Sequence, residues 1–366
     1  MSFDEVYEEF ASFNFEDYFK NIKDQDIERA ITSDKLTSED LLALLSPKAY
    51  SHIEKMAQAA HRITLQHFGK AILLYTPIYL SNYCVNRCVY CGFNRDNEIS
   101  RRKLTMDELE KEARFIAASG LKHILILTGE SRDKSPVSYL KESIRALKKY
   151  FSSISIEIYP LAEDEYKELI MEGVDGLTIY QEVYDKQIYG QVHIDGPKKD
   201  YGFRLDAPER GCKAGVRTVN VGALLGLGDW RKEAFFTAMH ARYLQDKYPS
   251  VDIGVSVPRL RPHAGATFKQ NCVVQDKELV QIILSFRLFL PKLSIAVSTR
   301  EPAWLRDNLI KLGVTKLSAG STTAVGGHTT HQESVQFDIS DRRDVEEIKH
   351  MIKSKGYQPV VKDWWT

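Results

Sequence analysis

The stretch YLSNYCVNRCVYCGFNRDN, residues 79–97, brings together three of the five cysteines of this 366-residue chain. Cys84, Cys88 and Cys91 have no fourth cysteine nearby in the sequence. A structural zinc site is closed by four protein ligands, whereas three soft thiolates leave one coordination position free. The spacing therefore indicates a metal centre that keeps a position open for chemistry.

Length and charge limit the class of protein. A chain of this length with 43% hydrophobic residues can bury a large core, and it exceeds the usual size of one domain unless the fold is an α/β barrel with additions. The 50 basic residues are balanced by 50 acidic ones, and no basic run is suited to neutralising phosphates. We therefore expect a small-molecule substrate and no nucleic acid.

The first residues, MSFDEVYEEFASFNFEDYFK, are acidic and aromatic and lack the basic and apolar regions of a signal peptide. No window holds the roughly 18 apolar residues that a membrane helix needs. We predict a cytoplasmic protein that does not enter a membrane. In that reducing compartment a cysteine cluster is more often a metal-binding or catalytic feature than a disulfide framework.

The order of predicted elements indicates the fold. Residues 1–70 are predicted to form a helical extension, with Thr37 or Ser38 capping one helix and Gly69 ending the last. Residues 71–366 alternate short β-branched runs with amphipathic helices. We predict eight strands, within residues 71–80, 123–129, 153–160, 176–183, 218–226, 252–262, 293–301 and 315–323. Eight such units predict an α/β fold, a closed (β/α)₈ barrel of the TIM type with a C-terminal tail. The alternative is an open sheet with a polar face.

The third strand indicates which side faces the barrel interior. In SISIEIYP, residues 153–160, three isoleucines alternate with Ser155, Glu157 and Tyr159. Because successive side chains of a strand point to opposite faces, the polar set is predicted to face the lumen. A barrel of this kind carries its chemistry at the carboxyl ends of the strands. Glu157 and Tyr159 are therefore candidate site residues.

The cysteine spacing C-x₃-C-x₂-C, with Tyr90 before the third cysteine, resembles the signature of the radical S-adenosylmethionine (SAM) enzymes. In that family three cysteines hold a [4Fe–4S] cluster whose fourth iron binds SAM. The resemblance implies that Cys84, Cys88 and Cys91 are the iron ligands. Cys212 and Cys272 are interpreted as ordinary thiols.

Further segments resemble the SAM-binding elements of the family. LTGE, residues 127–130, resembles the segment that meets the amino group of SAM, and FRLDAP contains an arginine that the resemblance assigns to the SAM carboxylate. GALLGLGD, residues 222–229, resembles the stretch that approaches the adenine, with Asp229 in place of a glutamate. The implied SAM contacts are Tyr90, Thr128, Gly129, Glu130, Glu157, Tyr159, Glu182, Arg204 and Gly222. Glu130 as a helix cap and the glycines as turn residues are the simpler alternatives.

SVPRLRP, STRE and LSAGSTTAVGG resemble the aromatic amino acid lyase branch of the family. The hydrogenase-maturation member of this branch carries a second cluster on cysteines near its C-terminus, whereas no cysteine follows Cys272 here. The resemblance therefore favours the members that split L-tyrosine at Cα–Cβ into 2-iminoacetate and p-cresol for the thiazole of thiamine. It implies a low-potential electron donor, flavodoxin or ferredoxin, and thiazole synthase as a partner. Tryptophan or another aromatic amino acid is the alternative substrate.

The substrate contacts are predicted among polar residues of the last strands. Candidate cations are Arg259, Arg261 and Arg300, and the residues expected to act on the substrate are Arg300, Ser321, Thr322, Thr323 and Tyr90. The family usually carries a basic residue at the position of Thr322, so the carboxylate contact does not follow from the resemblance.

One interpretation from another class competes with the enzyme. A zinc-stabilised binding module would use the three cysteines and a distant histidine, and it would be colourless where an iron–sulfur protein is brown. His328 and His331 have a metal-like spacing but lie in a glycine-rich loop, and we do not assign them to a metal site.

Overall fold

The computed structural model describes residues 2–262, 268–330 and 334–362. The chain begins with five α-helices and a 3₁₀ turn at Pro47–His52: α1 (Phe3–Ala11), α2 (Phe15–Asn21), α3 (Asp24–Thr32), α4 (Ser38–Leu45) and α5 (Ile53–Phe68). Thr37 caps α4 by accepting a hydrogen bond from the backbone N–H of Asp40. Gly69 ends α5 at φ 59°, a conformation that glycine adopts at little cost. Both predicted helix boundaries are confirmed.

Eight parallel strands close into a barrel: β1 (Ala71–Ser81), β2 (His123–Thr128), β3 (Ser153–Glu157), β4 (Gly176–Thr178), β5 (Thr218–Gly222), β6 (Asp252–Ser256), β7 (Ser294–Val297) and β8 (Lys316–Ser318). Each strand pairs with the next in the chain, and β1 pairs with both β2 and β8. The register places Ile78 beside Ile126 and Leu74 beside Leu317. The predicted (β/α)₈ barrel is confirmed, and the open-sheet alternative is wrong.

Helices between the strands bury the outer face of the barrel: α6 (Met106–Ala118), α7 (Val137–Leu147), α8 (Glu163–Glu172), α9 (Lys186–Val192), α10 (Tyr201–Leu205), α11 (Ala207–Ala214), α12 (Trp230–Lys247), α13 (Asp276–Phe289), α14 (Ala303–Leu309) and α15 (Val345–Ser354). Two further 3₁₀ turns lie at Pro197–Lys199 and Ile310–Leu312.

Three local features differ from the prediction. The segment RLDAPERGCKAG, residues 204–215, belongs to one of the amphipathic helices expected between the strands, but it forms two helices, α10 and α11. They are separated at Asp206, because Pro208 lacks a backbone N–H and favours the start of a new helix. Helix α9 was not predicted, nor was strand β9 (Gln358–Val360), which pairs with Ala71–Leu73 of β1. A three-residue strand that contains a proline is too short to show an alternating apolar pattern, and it forms only because it pairs with β1.

The strands are shorter than the apolar runs that predicted them. Strand β8 ends at Ser318, so Ser321 and Thr323 lie in the loop after it, and β4 ends at Thr178, four residues before Glu182. The polar residues at the carboxyl ends therefore stand on loops around the mouth of the barrel.

Helix α1 fixes the side of the barrel that carries α9 and α10. The ring of Phe3 stacks on His240 of α12 with centroids 4.0 Å apart. Lys186, the first residue of α9, pairs with Asp4 at 2.9 Å and Glu8 at 2.6 Å. Among the described residues, no helix is long and apolar enough to cross a bilayer.

The closure of the barrel leaves no room for a side chain at Gly222. A Cβ there would lie 2.0 Å from the carbonyl oxygen of Ser256 and 2.9 Å from the Tyr180 ring. Gly222→Ala is expected to lower the free energy of unfolding by about 1–3 kcal/mol, the usual cost of overpacking. Urea unfolding followed by circular dichroism measures the change.

Gly190→Ala is the matched control. Gly190 lies inside α9 with nothing within 4 Å of the added Cβ, so this variant is expected to keep or slightly raise the free energy of unfolding. Equal unfolding midpoints for the two variants would contradict the packing described for the β5–β6 interface.

Candidate active site

The loop of residues 82–105 carries the three cysteines and is organised around Arg101. The guanidinium of Arg101 donates hydrogen bonds to the carbonyl oxygens of Asn82 at 2.8 Å, Phe93 at 2.8 Å and Asn94 at 2.6 Å. A guanidinium has five N–H donors in a fixed plane, so one side chain can hold several turns of a loop. The loop is thereby shaped before any ligand is considered.

The loop after β2 holds the other side of the cysteine loop. The backbone N–H of Val85 donates to the carbonyl oxygen of Glu130 at 2.8 Å, and Asn86 Nδ2 donates to the Glu130 carboxylate at 2.6 Å. A Cβ on Gly129 would lie 2.4 Å from the Tyr83 carbonyl oxygen, so only glycine fits there. Glu130 thus positions the cysteine loop and does not cap a helix.

All three thiols line one cavity, here called the thiol cavity, bounded by Cys84, Cys88, Cys91, Thr128, Glu182 and Arg204. Asn86 Nδ2 lies 3.7 Å from Cys84 Sγ, and Gln336 Nε2 lies 3.8 Å from Cys91 Sγ. Burial raises the pKa of Cys88 and of Cys91. A nearby positive charge is therefore needed to stabilise the thiolate form of these cysteines. A bound metal supplies such a charge, because the thiolate is the form that binds metal.

The hydroxyl of Thr128 shows that the thiol cavity is built for a polar ligand. Its Oγ1 is buried and has no hydrogen-bond partner within the described part of the chain. A buried hydroxyl without a partner costs on the order of 1–3 kcal/mol, so such groups are usually satisfied by a ligand or water.

Glu182 is the strained and charged residue of the thiol cavity. Its backbone has φ 72°, a conformation rare for a side chain other than glycine. Its carboxylate lies 2.7 Å from Lys198 Nζ and 3.5 Å from Arg204 Nη2. Burial by itself would raise the pKa of Glu182, but Lys198 and Arg204 outweigh it and the pKa is lowered. The group is therefore ionised and fixed between two cations.

A second cavity, here called the lumen cavity, lies inside the mouth of the barrel and is bounded by Tyr75, Tyr79, Glu157, Tyr180, Arg300 and Ser321. The guanidinium of Arg300 stacks on the Phe337 ring at 3.3 Å, and it has no carboxylate partner among the described residues. Ser321 Oγ is buried and likewise unpartnered in the described part of the chain. Among the described lining residues, the cavity thus has one cation without a carboxylate partner, and its Ser321 hydroxyl lacks a hydrogen-bond partner.

The other two candidate cations are occupied. Arg259 Nε lies 3.0 Å from Glu301 Oε2, and Arg259 also contacts Asp276 at 2.7 Å. Arg261 lies 3.3 Å from the same Glu301 carboxylate. These arginines brace the loops after β6 and β7, which leaves Arg300 facing the lumen cavity.

The three hydroxyl residues after β8 are not equivalent. Thr323 also lines the lumen cavity, but its Oγ1 donates to the Phe337 carbonyl oxygen at 2.8 Å. Thr322 turns away from the cavity and packs against Gly327, where a Cβ would meet its Oγ1 at 2.3 Å. Of the three, Ser321 lines the lumen cavity with a hydroxyl that makes no hydrogen bond to the described part of the protein.

Four residues belong to the walls of both cavities: Tyr79, Leu127, Glu157 and Gln336. The two cavities are therefore adjacent. Burial, and next the charge of Glu182, raise the pKa of Glu157 to about 7. Tyr79 donates its hydroxyl hydrogen bond to Gln336 Oε1 at 2.8 Å, which fixes Gln336 between the two spaces.

Tyr90 and Gly222 do not line either cavity in the described structure. The Tyr90 hydroxyl donates to His193 Nε2 at 2.7 Å, because His193 Nδ1 donates to the Tyr189 carbonyl oxygen at 3.0 Å. Tyr159 lines the thiol cavity, and its hydroxyl donates to the Ser135 carbonyl oxygen at 2.5 Å.

Two other residues singled out in the sequence have local structural roles. Asp229 caps α12 by accepting hydrogen bonds from the N–H groups of Arg231 and Lys232. His328 Nε2 donates to the Pro77 carbonyl oxygen at 2.9 Å, and His331 lies outside the described residues. In the described ranges, no group of three His, Cys, Asp or Glu side chains is placed to hold a single metal ion.

Sequence reasoning missed Lys198, Asn86 and Gln336. Asn86 stands inside the cysteine motif, which was a sufficient signal to consider it. Lys198 lies in a 3₁₀ turn 16 residues after Glu182, and Gln336 lies in a long loop after β8, so no periodic pattern places either one at the site.

Comparison with known proteins agrees with this geometry. Residues 78–237 match the radical SAM superfamily, and residues 256–358 match the Biotin and Thiamin Synthesis associated domain. The chain is 41% identical to 2-iminoacetate synthase of Escherichia coli (strain K12) over 93% of this chain and 90% of that protein. It is 27% identical to 3-methylornithine synthase of Methanosarcina acetivorans over 91% of this chain and 93% of that protein.

Solved structures extend the comparison. The FeFe-hydrogenase maturase HydG from Carboxydothermus hydrogenoformans superposes with a TM-score of 0.88 and 32% identity, covering 99% of this chain and 83% of HydG. Methylornithine synthase (PylB) shares the fold, with a TM-score of 0.74 and 23% identity over 92% of this chain and 97% of PylB. With these relatives and its cysteine loop at the mouth of a (β/α)₈ barrel, the chain belongs to the radical SAM superfamily, in the branch that includes 2-iminoacetate synthase and HydG.

Proposed function

We propose that this protein is a radical SAM carbon–carbon lyase that cleaves the Cα–Cβ bond of L-tyrosine to 2-iminoacetate and p-cresol. The name of its 41%-identical relative supports the reaction. The observation that carries the proposal is that a lumen cavity with one unpaired arginine adjoins the cavity that holds three thiols. The matched Biotin and Thiamin Synthesis associated domain supports a place in thiamine synthesis.

The thiol cavity fits the cofactors of this family. Its donor set is three thiols, the unpartnered hydroxyl of Thr128, and the cations Lys198 and Arg204. In the proposal, Cys84, Cys88 and Cys91 hold a [4Fe–4S] cluster that leaves one iron open. Arg204 binds the carboxylate of SAM, since a guanidinium suits a carboxylate.

The remaining SAM contacts are proposed from the walls of the thiol cavity. Glu182 accepts hydrogen bonds from the ribose, while Thr128, Gly129 and Glu130 face the amino group. Tyr159 packs beside them, and Gly222 acts through the packing of β5 on β6. Tyr90 is proposed to position Cys88 indirectly. Its hydroxyl donates a hydrogen bond to His193, and the backbone of His193 forms an antiparallel β-bridge with that of Cys88.

A cluster and SAM together supply the carbon-centred radical that such a cleavage needs. The chain's own contribution is to bind the amino acid, orient it and exclude water. Arg300 is the one cation on the described wall of the lumen cavity, so it is proposed to bind the substrate carboxylate, with Ser321 donating a further hydrogen bond.

The lumen cavity also suits an aromatic ring with a hydroxyl. Leu125, Leu127 and Tyr75 give apolar surface, and Ser256 and Ser318 provide hydroxyl groups among the same lining residues. A buried phenol without a partner would cost on the order of 1–3 kcal/mol, so these hydroxyls favour tyrosine over phenylalanine.

Two protein partners are part of the proposal. A low-potential donor, flavodoxin or ferredoxin, is needed because the cluster must be reduced before each radical is formed. 2-Iminoacetate is an imine and hydrolyses in water, so we propose that thiazole synthase receives it directly.

Replacing any of Cys84, Cys88 or Cys91 by serine is expected to abolish the visible iron–sulfur absorbance of anaerobically reconstituted protein. Cys212→Ser and Cys272→Ser are the controls, because these thiols do not line the thiol cavity. Loss of iron in either control variant would contradict the three-ligand assignment.

Arg204→Ala is expected to weaken SAM binding by about 1.5–3 kcal/mol, the range for a hydrogen bond to a charged group. Equilibrium binding of SAM to the reconstituted protein measures the change. Lys213→Ala, which removes an exposed cation from the neighbouring helix α11, is expected to leave SAM affinity unchanged. Equal affinities for the two variants would remove Arg204 from the SAM site.

Substrate identity is tested by product analysis with reductant, SAM and each aromatic amino acid. Tyrosine is expected to give p-cresol, and phenylalanine to be rejected by up to about 10⁴-fold, since the hydroxyls that bind the phenol would lose their partner. Faster turnover of tryptophan, with indole products, would overturn tyrosine as the substrate and leave the radical SAM assignment in place.

A further inference from the structure

Glu157 is an acid on a cavity wall that is near several cations but in contact with none of those that the structure describes. It ends β3 and borders both the lumen cavity and the thiol cavity. No hydrogen bond or ion pair links its carboxylate to another described residue. The nearby cations Lys198 and Arg204 contact Glu182 instead.

Buried carboxylates elsewhere in the barrel have hydrogen-bond or ion-pair partners. Glu233 accepts from the backbone N–H of Tyr184 at 2.6 Å, and Glu112 accepts from the N–H groups of His328 and Thr329. Glu301 is paired with Arg259, and Asp341 with Arg306 and Arg343. Because a buried charge is costly unless it is paired, the uncompensated acid marks a place where a ligand supplies the partner.

The ligand proposed for the lumen cavity carries the matching group. An α-amino acid is a zwitterion, and Arg300 is the unpaired cation on the wall that Glu157 shares. The charges of Glu157 and Arg300 act on each other across the cavity. With the carboxylate at Arg300, the α-ammonium is the part of the substrate left to meet Glu157, on the side of the thiol cavity.

A protonated amine is a poor starting point for removal of an N–H hydrogen atom, because the product would be a cationic nitrogen radical. The substrate nitrogen therefore has to lose a proton first. We propose that Glu157 is the base that takes the proton from the α-ammonium of the bound amino acid. The inference rests on the proposed function. The N–H bond breaks, the proton passes to a Glu157 carboxylate oxygen, and the nitrogen keeps the electron pair, so ammonium and carboxylate become neutral amine and neutral acid.

The groups around Glu157 are consistent with this role. Tyr75 and Tyr79 face it from β1, Tyr180 and Glu182 from the loop after β4, and Arg300 from the loop after β7. Lys198, in the 3₁₀ turn before α10, and Arg204, in α10, are the other nearby charges. Burial and Glu182 hold its pKa near 7, so the basic form is present above about pH 7 and is lost as the pH falls below it. A base of this strength accepts a proton and releases it again near neutrality.

Glu157→Gln keeps the size of the side chain and removes the base. It is expected to lower p-cresol formation by about 10²–10⁴-fold and to remove the fall in rate below about pH 7. Glu157→Asp should restore part of the rate.

A second readout does not require turnover. Infrared difference spectra of the reconstituted protein with SAM, without reductant, should show a tyrosine-induced change in a carboxylate stretching band at pH 8, as the α-ammonium approaches Glu157. That change is expected to be absent in Glu157→Gln. Glu233→Gln is the matched control, since Glu233 is a buried acid with a pKa raised by burial to about 8 but lies outside both cavities, and it should keep both the change and p-cresol formation.

Three results would overturn the proposal: near wild-type p-cresol formation by Glu157→Gln, a tyrosine-induced band change that persists in that variant, or a loss of SAM affinity that accounts for its lost rate. If the unmodified protein cleaves tryptophan and not tyrosine, the proposed function fails. The band change can then be measured with tryptophan, so the role of Glu157 is still decided.

Discussion

Closure of the barrel between β1 and β8 is the constraint on which the site depends. Because β1 pairs with β2 on one side and β8 on the other, the cysteine loop that follows β1 stands between Gly129, after β2, and Gln336, after β8. Both neighbours contact the loop: Gly129 packs on the Tyr83 carbonyl, and the Gln336 carbonyl oxygen accepts a hydrogen bond from the Gly92 N–H at 3.1 Å. An open sheet would leave the loop without its second neighbour.

The charged side chains of this closed space differ in whether they have partners. Glu182 is ionised because Lys198 and Arg204 lie beside it, and Arg259 is neutralised by Glu301. Glu157 and Arg300 are the charged groups that the described walls leave unpaired, one on the boundary with the thiol cavity and one within the lumen cavity. Two opposite charges that face one space without contacting each other suit a ligand that carries both signs, and a zwitterionic amino acid has the complementary charges.

Much of this arrangement follows from the sequence. The alternation of strands and helices predicts the barrel, and the spacing of Cys84, Cys88 and Cys91 predicts one loop with three thiols. The pattern does not tell where each strand stops, because inward polar residues look alike on either side of the strand end. Ser321 and Thr322 are adjacent in the sequence, yet only Ser321 faces the lumen cavity, a difference set by the turn against Gly327.

The pairing of charges could not be predicted either. Arg259, Arg261 and Arg300 were all candidate cations, with Arg300 expected to act on the substrate, and the position of Glu301 is what occupies the first two. Lys198 contacts Glu182 through a 3₁₀ turn whose path depends on Asn86, which accepts a hydrogen bond from the Lys198 N–H. Such contacts join segments far apart in the chain, where sequence patterns carry no information about distance.

In the proposed complex, one amino acid lies between Arg300 and Glu157 beside the three-cysteine cluster. A crystal structure of the anaerobically reconstituted protein with SAM and L-tyrosine tests this placement. We expect the tyrosine carboxylate on Arg300, its nitrogen within hydrogen-bonding distance of Glu157, and its ring among Tyr75, Leu125 and Tyr180. Tyrosine bound elsewhere, or with its carboxylate on Arg204, would contradict this placement.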